Sequence, residues 1–131
     1  MSTRDEDFII DPFALKPYLG DALRPIMDNP AITKVLHGAD KDVEWLQRDF
    51  GLYIVNLFDT GQAARVLGLK GLGLAYLLQH YCQVMADKKY QLADWRIRPL
   101  PADYLKYARE DTHYLLHIYD RIRQDLLERG T

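Results

Sequence analysis

Apolar residues recur along this chain with two different periods, and each period predicts one kind of secondary structure. The segment Thr33–Gly38 is apolar and β-branched and ends at a glycine, which is typical of a buried strand. Directly after it, apolar residues recur at helical spacing as far as Phe50, so the pattern predicts a helix over Asp40–Asp49 that Gly51 ends. A strand followed by a helix is the building unit of α/β folds.

The remaining apolar segments predict further strands and helices. The short runs Phe8–Ile10 and Tyr53–Val55 read as two more strands. Helices are predicted around Leu23–Met27, from a capping Asp59 to Gly68, over Leu74–Cys82, and as one long C-terminal helix with Asp103 as its N-cap. Alternating strands and helices predict an α/β fold, although three strands form a thin sheet for so many helices.

Length and composition indicate one globular domain over residues 1–131. The chain is 48% hydrophobic and 27% charged, which excludes wholesale disorder. Its single cysteine, Cys82, excludes an intrachain disulfide. The polar, acidic N-terminal residues and the lack of a long apolar run predict neither a signal peptide nor a membrane span. Because the net charge is −2, any contact with nucleic acid would need a local basic patch or a bound metal.

Two acidic motifs could carry chemistry. Tyr107 and Asp111 lie four residues apart on the predicted C-terminal helix, so the phenol and the carboxylate share a face. Such a carboxylate can bind a hard cation, and the phenol can orient a water. An ordinary helix with a half-buried tyrosine and a solvated acid explains the same pattern, and the motif alone favours that simpler interpretation.

The second motif follows the predicted strand at Thr33–Gly38. Asp42 would lie at the carboxyl end of that strand, where open α/β sheets bind their ligands, and Trp45 would lie near the same face. The simpler interpretation is an acid that stabilises a helix N-terminus and a tryptophan that packs. A third segment, Lys88–Pro99, interleaves basic and aromatic residues. It predicts either a nucleic-acid contact or a charged loop that its aromatic residues pack down.

The motifs occur in an order that resembles one family over nearly the whole chain. These motifs are His37-Gly38-Ala39 with Asp42 and Trp45-Leu46, then Phe58-Asp59-Thr60, then the block Tyr90–Leu100, and finally Tyr107 with Asp111-Thr112-His113. In this order they resemble the ribonuclease D-type 3′→5′ exonucleases, and within that family the branch found in the eukaryotic nuclear exosome.

The resemblance implies a ribonuclease H-like α/β fold in which four acids hold two Mg²⁺ or Mn²⁺ ions. It implies that Asp42 and Asp111 are the acids of the second and fourth motifs, and that they are both metal ligands and catalytic residues. Tyr107 matches the catalytic tyrosine that positions the attacking water. The positions expected to contact the terminal nucleotide are Trp45, Lys88 and, as a weaker match, His37.

The first acidic motif of that family, an Asp-x-Glu on a strand, has no counterpart here. Asp42-Val43-Glu44 has the right letters, but it falls on a predicted helix, where residues two apart diverge. We therefore expect a partial domain whose sheet lacks its first strands. Asp42 and Asp111 supply two negative charges against the four positive charges of two Mg²⁺ ions, so we expect little activity from these residues alone.

In a complete domain, the resemblance implies hydrolysis of RNA from its 3′ end with release of nucleoside 5′-monophosphates. RNA processing in the nucleus or nucleolus, with exosome subunits as partners and no membrane contact, is implied in the same way. The competing hypothesis is a catalytically inactive RNA-binding or protein-interaction module derived from such a domain. An exposed sheet edge at Phe8–Ile10 would also allow self-association.

Overall fold

Helices pack around one short pair of parallel strands in the computed structural model, which describes residues 1–85 and 93–130. None of the helices in these two ranges is long and apolar enough to cross a bilayer. In chain order the elements are α1 (Pro12–Met27), β1 (Lys34–Leu36), α2 (Asp40–Phe50), β2 (Leu57–Asp59), α3 (Thr60–Leu67), α4 (Leu74–Leu77), a π-helical turn (Leu78–Cys82), α5 (Ala102–His113) and α6 (Leu115–Glu128).

Strand β1 forms where the sequence predicts it, but its partner forms later along the chain than predicted. β1 pairs in parallel with β2, and Leu36 lies opposite Asp59. The predicted strand Tyr53–Val55 is wrong because the Val55 amide donates to the carbonyl of Met27 at the end of α1, at 2.9 Å. Asn56 then takes a positive φ of 62° and turns the chain into β2.

The predicted strand Phe8–Ile10 is also wrong. No strand among the described residues pairs with this segment, and Phe8 and Ile9 are largely exposed. The first eight residues instead form a tight reversal: the Phe8 amide donates to the Met1 carbonyl at 2.7 Å, and Ser2 and Asp7 form an isolated antiparallel bridge. A local reversal satisfies these backbone groups without a sheet neighbour.

Capping residues set the ends of the two helices next to the strands, as predicted. Gly51 ends α2 in the left-handed conformation with φ 63°, and its amide bonds back to the helix. Asp59 caps α3 by accepting from the amides of Gly61 and Gln62, and Gly68 ends α3 with φ 71°.

The C-terminal segment forms two helices instead of the predicted single helix. Tyr114 has φ −90° and ψ −5°, outside the regular helical range, and separates α5 from α6. The two helices use their apolar residues differently, since α6 buries Leu115, Ile118 and Ile122, whereas α5 buries no residue. The start of the helix also differs from the prediction. Helix α5 begins at Ala102, and its N-cap residue is Pro101 instead of Asp103.

The hydrophobic core lies between α3, the π-helical turn and α6. Phe58 of β2 packs against it and meets the ring of Tyr119 edge-on at 4.8 Å between centroids. The Tyr81 hydroxyl donates to Asp125 at 2.9 Å and joins the π-helical turn to α6. The buried members of this core are Ala63, Ala64, Leu77, Leu78, Tyr81, Ile118 and Ile122.

Candidate active site

Asp42 lies in the first turn of α2, next to the carboxyl end of β1. Its half-buried side chain lines a cavity of about 460 Å³ between α1 and α2. Burial raises the pKa of Asp42, and the nearby carboxylate of Asp59 raises it further. A carboxylate whose charge is disfavoured in this way is well suited to a cation, because a cation relieves both effects.

Trp45 lines the same cavity as Asp42, one helical turn further along α2. The residue is 49% exposed, so its side chain is accessible to a ligand. Lys16 of α1 also lines this cavity. The cavity thus combines an aromatic side chain and a cation, which can bind a base and a phosphate, with the carboxylates of Asp42 and Asp49.

His37 lies at the turn between β1 and α2, and its ring is hydrogen-bonded within the protein. Its Nδ1 shares a hydrogen bond of 2.9 Å with Thr60 Oγ1. Burial lowers the pKa of His37, while Asp59 and the Leu72 carbonyl act in the opposite direction. These contacts favour a role in fixing the turn, and the predicted contact of His37 with a nucleotide stays a prediction.

Tyr107 and Asp111 lie one turn apart on α5. The half-buried Tyr107 ring packs 5.8 Å from the ring of Trp95, which also packs against Tyr104 at 4.9 Å with the two ring planes tilted by 53°. Asp111 is an exposed residue, but neighbouring atoms displace part of the water around its carboxyl group and so raise its pKa; Glu110 adds to this rise, whereas the Met1 ammonium opposes it. Both candidate acids, Asp42 and Asp111, are therefore carboxyl groups whose charged form the protein disfavours.

The N-terminal reversal (residues 1–8) lies against the junction of α5 and α6. Ser2 Oγ is 2.6 Å from Thr112 Oγ1, and Asp7 is 2.7 Å from His113 Nδ1. Arg4 forms a two-point ion pair with Asp120 of α6 at 2.7 and 3.0 Å. This segment therefore covers part of the surface beside Asp111.

The predicted residues form two groups. Asp42 and Trp45 share a cavity, whereas Tyr107 and Asp111 share a face of α5 and do not line that cavity. Lys88 lies outside the described residues. Within residues 1–85 and 93–130, no group of three or more His, Cys, Asp or Glu side chains could hold a metal ion. Asp42 and Asp111 each offer the carboxylate oxygens that Mg²⁺ prefers, but the described residues do not assemble them into a metal site.

The described part of the basic and aromatic segment, residues 93–99, is folded onto the protein. Arg98 forms a two-point ion pair with Asp11 at 2.9 and 3.1 Å and also donates to the Trp95 carbonyl. Arg96 pairs with Asp94 in the same loop. These contacts favour the packed-loop interpretation for this part, while Tyr90 and its neighbours lie outside the described residues.

Sequence reasoning missed the wider role of Asp59, which the pattern explains fully as a cap of α3. In the structure its carboxylate also accepts from the Gly38 amide at 2.9 Å and the Ala39 amide at 2.8 Å. The signal that could have found this role is the strand register. Once Asp59 is paired with Leu36, it must lie beside the turn that follows β1.

A model of the 3′-5′ exonuclease domain family matches residues 1–127 of the chain. Protein RRP6-like 2 of Arabidopsis thaliana is 60% identical over 126 residues, which cover 96% of this chain and 14% of that protein. Exosome complex component 10 of Rattus norvegicus is 60% identical over 130 residues, which cover 99% of this chain and 15% of that protein. The chain thus spans about a seventh of the length of these curated relatives.

Solved structures agree with this match. The catalytic core of RRP6 from Trypanosoma brucei is 50% identical with a TM-score of 0.94, covering 98% of this chain and 35% of that core. RNase D of Escherichia coli, an exoribonuclease, is 32% identical with a TM-score of 0.77, covering 84% of this chain and 30% of that protein. Brucella melitensis NrnC with bound Mg²⁺ shares the fold at 24% identity and a TM-score of 0.73, covering 82% of this chain and 53% of NrnC.

The two kinds of comparison agree with the order of motifs along the chain. The strand, turn and helix that carry Asp42, and the helix that carries Tyr107 and Asp111, both fall within the matched residues. The predicted ribonuclease H-like fold is confirmed by the match to the RRP6 and RNase D cores. The chain belongs to the 3′-5′ exonuclease family.

Proposed function

We propose that residues 1–131 are part of a single 3′→5′ exoribonuclease domain that removes nucleoside 5′-monophosphates from RNA 3′ ends by hydrolysis. The observation that carries this proposal is the placement of Asp42 in the crevice at the carboxyl end of β1, within a chain of the exonuclease family. The similarity to exosome components and to RRP6 supports RNA as the substrate class.

In this proposal Asp42 and Asp111 hold a divalent ion, Mg²⁺ or Mn²⁺, through their carboxylate oxygens. The bound ion supplies Lewis-acid polarisation of the scissile phosphate. Tyr107 orients the attacking water through its hydroxyl, and Trp45 stacks on the terminal nucleotide. Lys88 and His37 complete the nucleotide contacts. The raised pKa values of the two acids support the first assignment, since a bound cation favours the charged form of a carboxylate.

The second ion needs carboxylates that the described residues lack. We place these carboxylates at the open edge of β1. Among the described residues β1 pairs only with β2, and a cavity of about 430 Å³ runs beside β1. That cavity shares Leu36 and Leu46 with the cavity that Asp42 lines. A strand added to this edge would bring its side chains close to Asp42, and an Asp-x-Glu strand would present both acids on one face.

We propose nuclear exosome subunits as partners and RNA processing and degradation in the nucleus or nucleolus as the setting. The support is the similarity to exosome complex component 10, whose name describes it as part of the exosome. The rival function is an inactive RNA-binding or protein-interaction module. The specific observation that favours the rival is that the described residues contain no complete metal site.

A hybrid protein separates the two functions. In the hybrid core, this chain replaces the matching segment of the Trypanosoma brucei RRP6 catalytic core, which supplies the rest of a complete catalytic core. We expect the hybrid core to shorten a labelled RNA from its 3′ end in Mg²⁺, and Asp42→Asn to lower that rate at least about 100-fold. The 131-residue chain alone should show little or no activity. A folded hybrid core that binds RNA without cleaving it would favour the module.

A further inference from the structure

We propose that Asp59 is a positioning residue that fixes the turn between β1 and α2 and thereby places Asp42. This inference rests on the proposed function, since it assigns Asp59 a role through a candidate metal ligand. Asp59 lies at the end of β2, opposite Leu36 in the parallel register, and so beside the turn that leads into α2. The helix that carries Asp42 therefore begins against a fixed group on the neighbouring strand.

Both oxygens of the Asp59 carboxylate are used, and they join two helix N-termini. Oδ2 accepts from the Ala39 amide at 2.8 Å, and Oδ1 accepts from the Gly38 amide at 2.9 Å. Oδ1 also accepts from the first turn of α3, from Gly61 at 2.8 Å and Gln62 at 3.4 Å. One side chain thus ties the start of α2 to the start of α3.

The start of α2 depends on this outside group because its own sequence provides no cap. Ala39 occupies the N-cap position, and no side chain of α2 caps it. Gly38 adopts φ 60°, which a residue with a side chain rarely tolerates. Asp42 is the third residue of α2, and the Val43 amide after it bonds to the Ala39 carbonyl at 2.9 Å. A shift of the turn would therefore move Asp42.

Neighbouring residues hold Asp59 in place. Thr60 is fully buried, and its hydroxyl donates to the Leu36 carbonyl at 3.3 Å and bonds to His37. A Cβ on Gly61 would lie only 3.2 Å from Asp59 Oδ1 and 3.4 Å from His37 Cε1. The turn, the strand end and the helix start therefore form one closely packed unit.

The contacts also engage the Asp59 carboxylate within the protein. Three backbone amides donate to Oδ1 and one donates to Oδ2, so both oxygens already have partners. Burial alone would raise the pKa of Asp59, but these amides outweigh it and lower the pKa, so the carboxylate is charged at neutral pH. Asp59 thus orients the residues around it through both of its carboxylate oxygens.

The test compares Asp59→Asn with Asp125→Asn in the hybrid core. Asp125 is a matched control because its carboxylate also links two elements, through Tyr81, but it lies in the core formed by α6 and the π-helical turn. We expect Asp59→Asn to lower kcat, or to raise the Mg²⁺ concentration for half-maximal rate, by about 10- to 100-fold. In Asp59→Asn the KM for RNA should change less than about threefold. Asp125→Asn should change kcat, the half-maximal Mg²⁺ concentration and the KM by less than about threefold each.

Hydrogen exchange on the 131-residue chain, measured by NMR, gives a readout that does not depend on activity. In Asp59→Asn the amides of Gly38 and Ala39 should exchange at least about tenfold faster, whereas Asp125→Asn should leave them unchanged. Unchanged exchange at both amides would overturn the proposal. An active hybrid core in which Asp59→Asn keeps the kcat and Mg²⁺ dependence of the parent, or changes them no more than Asp125→Asn does, would also overturn it. An inactive parent hybrid core would count against the proposed function and leave the exchange result to decide on Asp59.

Discussion

The half of the molecule that forms the core and the half that carries the candidate site are packed differently. Ala64, Leu77, Ile118 and Ile122 are completely buried where α3, α4, the π-helical turn and α6 meet. The site helices α2 and α5, although described over their whole length, contain no buried residue. Stability therefore comes from helices that carry none of the candidate catalytic groups.

The site helices themselves contribute little to apolar burial, and the buried apolar residues next to α2, Ala39 and Leu52, lie just outside its two ends. Leu46, which would face a sheet in a layered α/β fold, lines two open cavities. The bonds from Asp59 fix the start of α2, and the N-terminal reversal braces α5. We expect such a region to change its geometry more readily than a close-packed core does.

Substitutions that create a cavity in each half test this difference in packing. We expect Ile122→Ala to lower the free energy of unfolding by about 2–5 kcal/mol, because Ile122 is completely buried and truncation leaves a void. Leu46→Ala should lower it by less than about 1 kcal/mol, because it enlarges spaces that are already open. Urea unfolding followed by circular dichroism measures both values. Equal losses would show that α2 is packed as tightly as α6.

A substitution in the site half should have the opposite effect, with catalysis lost and stability kept. In the hybrid core, Tyr107→Phe removes only a hydroxyl, so we expect kcat to fall about 10- to 100-fold with little change in KM or melting temperature. Tyr104→Phe is the matched control, since its ring packs on the same Trp95. Retention of full turnover by Tyr107→Phe, or loss mainly of RNA affinity, would remove Tyr107 from the mechanism.

The sequence predicts best those elements whose ends are set by local chemistry. Helix α2 and its stop at Gly51, and helix α3 between Asp59 and Gly68, form as predicted, because glycine and capping residues act within one turn. The strand predicted at Tyr53–Val55 failed because a contact with α1, distant in sequence, takes the Val55 amide. A local apolar pattern cannot show that a residue distant in sequence will accept this hydrogen bond.

The same distinction applies to the candidate site. The spacing of Tyr107 and Asp111 predicts correctly that they share one turn of a helix, because both lie on α5. The link from Asp59 to the turn at Gly38 depends on strand pairing across some twenty positions, and no local pattern reveals it. The break at Tyr114, which separates the site helix α5 from the core helix α6, was likewise invisible in a continuous apolar stripe.

A smaller effect tests the open edge of β1, where we propose that the chain alone self-associates. In β1 the Lys34 amide donates to Asn56 at 3.0 Å on the β2 side, so by alternation the Val35 amide faces the open edge. We expect the Val35 amide to exchange quickly in dilute solution and more slowly as concentration rises, with the Lys34 amide as an internal control. Light scattering should show the mass increasing in parallel. Strong protection of Val35 in a dilute monomer would instead mean that the N-terminal reversal covers the edge.

The smallest expected effect is on the pH dependence of stability. Its sign should be opposite for Asp42, whose pKa is raised, and for Asp59, whose pKa is lowered. Burial raises the pKa of Asp42 in the folded chain, so folding is favoured when Asp42 is protonated, and this stability is lost as the pH rises through that raised pKa. Asp42→Asn, which never carries the charge, should therefore be more stable than the parent at pH 7, by well under about 1 kcal/mol for such a partly exposed group. This advantage should disappear below the ordinary pKa of aspartate.

Asp59 should behave in the reverse way, because its pKa is lowered in the folded chain. Its contribution to stability is present above the ordinary pKa of aspartate and is lost as the pH falls through the lowered value. Asp59→Asn should therefore be less stable than the parent at pH 7, and the two proteins should converge in strong acid. Melting temperatures of both variants between pH 2 and about pH 7, without added metal, measure the two trends. If both variants shifted stability in the same direction at neutral pH, the distinction between a cation-binding acid and a positioning acid would fail.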